Sequence, residues 1–243
     1  MSALLLKEIR TFLSSLIGYV VIAVFLLITG LFMWIFPGDM NILETGYADI
    51  DTLFFISPWV FMFLIPAITM RSFAEEKRSG TIELLLTKPL SDLQIILAKY
   101  FAGFLLVVIA LLPTLIYYAS VYALGSPAGN IDSGGTWGSY IGLLLLASAY
   151  IAIGLFASSI TNNQIVSFLF AAMISFFLYT GFQSLASFDL FGSFDNVIMK
   201  LGMQDHYSAL SLGLIDSRDV VYFLAIIVIF ILLTKTVMSS RKW

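Results

Sequence analysis

Most side chains that make and break bonds are missing from this chain. It has one histidine, His206, and no cysteine among 243 residues. No nucleophile–base pair and no zinc set can be built from such an inventory, so neither catalytic nor metal-ligating residues are assigned. Without cysteine there is also no disulfide framework. Asp39, Glu44, Asp49 and Asp51 lie close together in sequence, but their spacing matches no calcium loop; they read as a solvated acidic face. The glycine-rich run 125–136 lacks the Gly-Lys-Ser/Thr of a phosphate loop. His206 reads as a solvated or capping loop residue. What remains is Arg71 to Asp92, which holds eight of the 27 acidic and basic residues in a chain that is 60% hydrophobic and 11% charged. The chemistry open to this stretch is recognition.

Its residues spell out a short structured platform. Gly80 suits a helix C-terminus, and Thr81 can cap a new helix with Glu83 in the first turn, where a carboxylate meets the positive end of the helix dipole. Ile82, Leu84, Leu85 and Leu86 follow, and Pro89 stops that helix after less than two turns. Ser91 with Gln94 matches a capping box for the next helix. Four large apolar side chains exceed what a solvated loop needs. Burying one of them against a partner is worth roughly 1.5–3 kcal/mol, while Glu75, Glu76, Lys77, Arg78, Glu83 and Lys88 would set orientation.

The elements that hold this platform are membrane helices. Mean hydropathy is +1.00, and charge-free windows run Thr11–Gly38, Thr52–Met70, Tyr100–Ile131, Ser133–Phe188 and Val220–Thr234. About 20 apolar residues cross a bilayer core, so the fourth window holds two crossings, divided by a tight turn at Thr161-Asn162-Asn163-Gln164. Six spans result, at 16–36, 53–70, 95–124, 137–160, 165–184 and 220–238. The apolar stretch from residue 11 is too long for a signal-peptide core. Residues 1–14 form an amphipathic elbow with Leu5, Ile9, Phe12, Leu13 and Leu16 on one face and Lys7, Glu8 and Arg10 between them.

Within the spans, Pro58 and Pro66 each free a carbonyl that a neighbour must satisfy. Gly138, Gly142, Ser148, Ala152, Gly154 and Ser158 give the fourth span a small-residue stripe suited to close helix packing. Between spans five and six, Leu190, Phe191, Phe194, Val197, Ile198 and Leu201 fall on one face of a helix half-buried at the outer surface. No span carries a charge in its middle, which argues against an ion-coupled carrier. Ten of the 12 basic residues, Lys99 among them, fall on the side that holds both termini and the platform. That side is therefore cytoplasmic.

The run Glu75-Glu76-Lys77-Arg78-Ser79-Gly80-Thr81-Ile82-Glu83-Leu84-Leu85-Leu86-Thr87-Lys88-Pro89-Leu90-Ser91, followed by Ile95 to Lys99, resembles the signature of ABC-2 type transporter permeases. With the run His206 to Asp216, the resemblance is nearest the gliding-motility-associated permease subunits, and permeases of nitrous oxide reductase maturation stand beside them. It implies an all-α integral membrane fold of six transmembrane helices as one domain over 1–243. An N-terminal elbow helix, a cytoplasmic coupling helix at 75–90 between spans two and three, and re-entrant or interfacial helices between spans five and six complete it. ATPase coupling falls to Glu75, Glu76, Arg78, Gly80, Thr81, Ile82, Glu83, Leu84, Leu85, Lys88 and Pro89. The expected partners are a cytosolic ABC ATPase dimer, a second permease subunit of the same or a related chain, and a gliding-type auxiliary protein. The chain binds no cofactor and no nucleic acid, since ATP and Mg sit on the partner, and it is no enzyme itself. It resides in a bacterial inner membrane. A membrane scaffold that transports nothing is the alternative from another class.

Overall fold

The fold was taken from a computed structural model, which describes residues 1–86, 90–188 and 192–240, with side-chain detail at all of them except 84–86 and 193. Every described element is helical. In chain order they are α1 (Ser2–Leu13), α2 (Leu16–Trp34), α3 (Ile42–Thr45), α4 (Asp51–Thr69), α5 (Ala74–Arg78), α6 (Thr81–Leu86), α7 (Asp92–Leu111), α8 (Leu115–Leu124), α9 (Ser133–Ile160), α10 (Gln164–Phe176), α11 (Phe182–Ala186), α12 (Asp195–Met199), α13 (Met203–Ser211) and α14 (Ser217–Ser239). A 3₁₀ turn at Leu112–Thr114 joins α7 to α8, and a π turn at Phe177–Gly181 joins α10 to α11. Six helical stretches are long and apolar enough to cross a membrane: Leu16–Trp34, Asp51–Arg78, Asp92–Leu124, Ser133–Ile160, Gln164–Ala186 and Ser217–Ser239. The chain is an all-α integral membrane protein.

Several helices begin upstream of the charge-free windows because polar residues open them. The Ser91 hydroxyl accepts from the Gln94 amide and the Gln94 side chain returns the bond to the Ser91 amide, a reciprocal cap that satisfies two otherwise orphaned donors. Asp132 caps α9 through the Gly135 amide, and Asp216 caps α14 through the Arg218 amide. Asn163 caps α10 and closes the tight turn between α9 and α10.

α9 is the axis of the bundle, buried along most of its length and packed by α4, α7, α10, α13 and α14. Its small residues explain how. A Cβ on Gly154 would collide with the Thr69 side chain of α4, and one on Gly138 would lie 2.6 Å from the Gly213 carbonyl oxygen. The stripe serves packing inside the chain. The first proline behaves as expected too: the Phe54 carbonyl, freed by Pro58, accepts from the Tyr207 hydroxyl of α13 at 2.8 Å.

Three expectations need correction. In α1 the side that faces the bundle carries Leu4 and Glu8, both buried, whereas Leu5, Ile9, Phe12 and Leu13 are half-buried and Leu16 is exposed. A carboxylate points inward because a cation waits there. In the segment before α14, Phe194, Val197 and Leu201 are exposed and Ile198 half-buried, while Leu190 and Phe191 lie outside the described residues. The helix that packs inward is α13, through Met203, Tyr207 and Leu210. His206 is therefore helical rather than a loop residue, with both ring nitrogens bonded, one of them to the Lys200 carbonyl at the end of α12.

Candidate functional site

The charged platform splits into two short helices with a sharp turn between them. α5 ends at Arg78 with Ser79 as its cap, and Gly80 takes φ +70°, a left-handed conformation that glycine adopts without steric cost. α6 then runs six residues. Thr81 is its first helical residue rather than a capping one. The Thr81 hydroxyl bonds the Ser79 hydroxyl at 2.9 Å and reaches back to the Glu76 carbonyl at 3.4 Å, bracing the turn from inside. Glu75, Arg78, Gly80, Thr81 and Glu83 are exposed, and Ile82 is half-buried. Leu84 and Leu85 belong to α6, with side chains outside the described residues; Lys88 and Pro89 lie outside them altogether. The exposed side of this hairpin of helices is what another molecule could grip.

What holds it to the bundle is a polar root. Lys99 of α7, only 3% exposed, donates to Glu76 Oε1 at 2.8 Å and to Glu8 Oε1 at 3.0 Å. Its ammonium also lies 5.2 Å from the centre of the Phe73 ring, within the range of a cation–π contact. One ammonium thereby joins the elbow helix, the platform and the third membrane helix. A cavity of about 450 Å³ opens beside it, bordered by Lys7, Thr11, Arg71 and Glu75.

A second tie comes from the end of α9. Ser158 Oγ accepts from the Phe73 and Ala74 amides at 3.0 and 3.1 Å and donates to the Met70 carbonyl at 3.1 Å. These backbone groups fall at the break between α4 and α5, where helix ends leave donors and acceptors unsatisfied. A side chain 84 residues away in sequence does the capping. Lys77 adds a bond to the Ser159 carbonyl. Arg78 borders an open hollow with the turn at 161–163, Val166 and Phe170.

Sequence reasoning named Glu76 with the rest of the hairpin, and named Lys99, Glu8 and Ser158 in other roles without foreseeing the bonds they make. Lys99 counted as a positive charge fixing topology and as the end of the run that carries the family resemblance. A signal was available: Ile95, Ile96, Lys99, Ala102, Gly103 and Leu106 recur at three- and four-residue spacing, and every one is buried. Glu8 and Ser158 gave no comparable sign, because their partners are distant in the chain.

At the opposite end of the bundle, Tyr207 holds α13 to α4, and burial keeps its phenol well above the usual tyrosine range, so it remains a donor. Beside it, His206 bonds Asp219 of α14. Among the described residues no group of histidine and carboxylate side chains could hold a metal ion.

No curated protein matches the chain. The model of the ABC-2 family transporter proteins matches residues 40–235, a range that takes in both short platform helices, Lys99, Ser158, the second to fifth of the six long apolar stretches and the sixth as far as residue 235. A hairpin of short helices, rooted by charge and hydroxyl bonds under a six-helix bundle, is thus part of a membrane component of a transporter: the chain belongs to the ABC-2 family.

Proposed function

We propose that this chain is the permease subunit of an ATP-driven transporter whose ATPase is a separate cytosolic protein, and that residues 75–90 are the lever this ATPase grips. The observation that carries the reading is the Lys99 junction, where one buried ammonium bonds Glu76 at the lever's base and Glu8 of the elbow. A lever attached only by its flanking chain could swing without consequence. This one is fastened to α1 and α7 through Lys99 and to α9 through Ser158, so displacement by ATP binding on the partner moves three elements of the bundle together. α4 carries that movement toward the far end, where Tyr207 bonds it.

Orientation follows from charge. Ten of the 12 basic residues belong to the side of the lever and the termini, which supports a cytoplasmic lever in a bacterial inner membrane. ATP and magnesium then bind the partner, and a second permease subunit completes the complex. Within the family, the run His206 to Asp216 supports the gliding-motility type, with its auxiliary protein. Changing Leu84→Asp together with Leu85→Asp is expected to leave the chain inserted while abolishing co-purification with the ATPase. Full recovery of the ATPase with the double variant would refute the docking surface.

A further inference from the structure

The Lys99 junction forms the inner wall of the cavity of about 450 Å³, and the rim carries three further charges. Lys7 of α1, Arg71 between α4 and α5, and Glu75 of α5 are exposed, and among the described residues none of them makes an ion pair. In the wall behind them Glu76 Oε2 is buried with no hydrogen-bond partner among the described residues, and one ammonium faces two carboxylates. The cavity therefore presents two unpaired cations to an anion. To a cation it presents an unpaired carboxylate backed by excess negative charge.

Its position says where such a ligand comes from. Ser15 and Ile17 at the start of α2, with Arg71 and Ser72 at the end of α4, border the cavity. It lies where two membrane helices leave the hydrocarbon core, at the level of lipid headgroups. On the same stretch of α2, Leu16, Tyr19 and Val20 are exposed, an apolar surface along which acyl chains can run. The volume falls in the range of small-molecule sites, about 300–1,000 Å³, and basic pockets between membrane helices recur as headgroup sites. Charge then selects among headgroups. Three basic and three acidic residues line the cavity, so a net negative headgroup gains from Lys7 and Arg71 but meets carboxylates beyond them. A zwitterion answers both signs, and a primary ammonium brings three N–H donors that a trimethylated one lacks.

We propose that this cavity binds the headgroup of an ethanolamine phospholipid from the leaflet on the side of the termini, with the phosphate on Lys7 and Arg71 and the ammonium on Glu75. The bound lipid bridges the elbow to the base of α5 from outside, as Lys99 does from within. The site requires only that α2 and α4 cross a bilayer, and it stands whether or not an ATPase grips the lever.

Native mass spectrometry of the full chain in detergent reads lipid adducts directly. Phosphatidylethanolamine, phosphatidylcholine and phosphatidylglycerol with identical acyl chains are titrated in turn. Phosphatidylethanolamine is expected to bind at least about fivefold more tightly than either of the others, as one charge-assisted pair in a partly enclosed site provides. Glu75→Gln should remove that preference while leaving the affinity for phosphatidylcholine unchanged. Arg71→Gln should weaken the ethanolamine and choline lipids by the same factor and preserve their ratio. Both side chains are exposed, so neither change disturbs the core. Free phosphoethanolamine at the same concentrations should leave the lipid adducts in place; displacement would assign the site to a soluble ligand and refute the lipid. Equal affinities for the ethanolamine and choline lipids, tightest binding of phosphatidylglycerol, a preference that survives Glu75→Gln, or no effect of Arg71→Gln would each overturn the proposal.

Discussion

At Lys99 one positive charge faces two negative ones inside the protein. Glu76 Oε2 is buried with no hydrogen-bond partner among the described residues, so the junction holds excess negative charge that the single ammonium cannot fully compensate. Removing the cation strands two carboxylates, and breaking a buried pair in this way costs about 3–5 kcal/mol. Removing one carboxylate relieves the excess instead. Lys99→Met is therefore expected to lower the thermal unfolding temperature of the detergent-solubilised chain sharply, while Glu76→Gln leaves it near or above the parent value. Equal losses from both would mean that the junction is not governed by its charge balance. The residue's importance was partly legible, since Lys99 shares a helical stripe with apolar neighbours. Its two partners were not, because Glu8 lies 91 residues away and Glu76 lies 23 away. Local pattern has no reach across such separations.

Among the elements, α4 shows what a proline means in a membrane helix. The sequence announces two freed carbonyls but not what satisfies them. For Pro58 the answer is the Tyr207 hydroxyl, 153 residues downstream of the freed Phe54 carbonyl. Tyr207→Phe should then strand the Phe54 carbonyl in the interior at a cost of about 1–3 kcal/mol. In a Pro58→Ala background the residue-58 amide takes that carbonyl, so the same substitution should cost much less. Unfolding measured across the four combinations gives the coupling directly; equal costs in both backgrounds would contradict the assignment. α13 itself was harder to read. Met203, Tyr207 and Leu210 recur at helical spacing, yet Gln204, Asp205, His206 and Ser208 between them make the segment resemble a loop. The exposed apolar run ahead of it drew attention to the wrong face. Short helices whose inward side is three residues long carry too little hydrophobic contrast to stand out from their surroundings.

For the whole molecule, the architecture was plain where charge is scarce. Windows free of charged residues located all six long helices, and four polar residues in the middle of the longest one marked the turn between α9 and α10. The small-residue stripe pointed to close helix packing along α9, as the collisions at Gly154 and Gly138 bear out. The junctions between elements were invisible, because they depend on single side chains at helix ends meeting across long separations. Those junctions fasten the platform helices to α1, α7 and α9 of the bundle. The most direct test places a photocrosslinking side chain at Glu83, which is exposed on α6, and irradiates native membranes. The account predicts a covalent adduct with an ATP-binding subunit. A normally inserted chain that yields no such adduct, or that is labelled at this position only from the side opposite its termini, would contradict it.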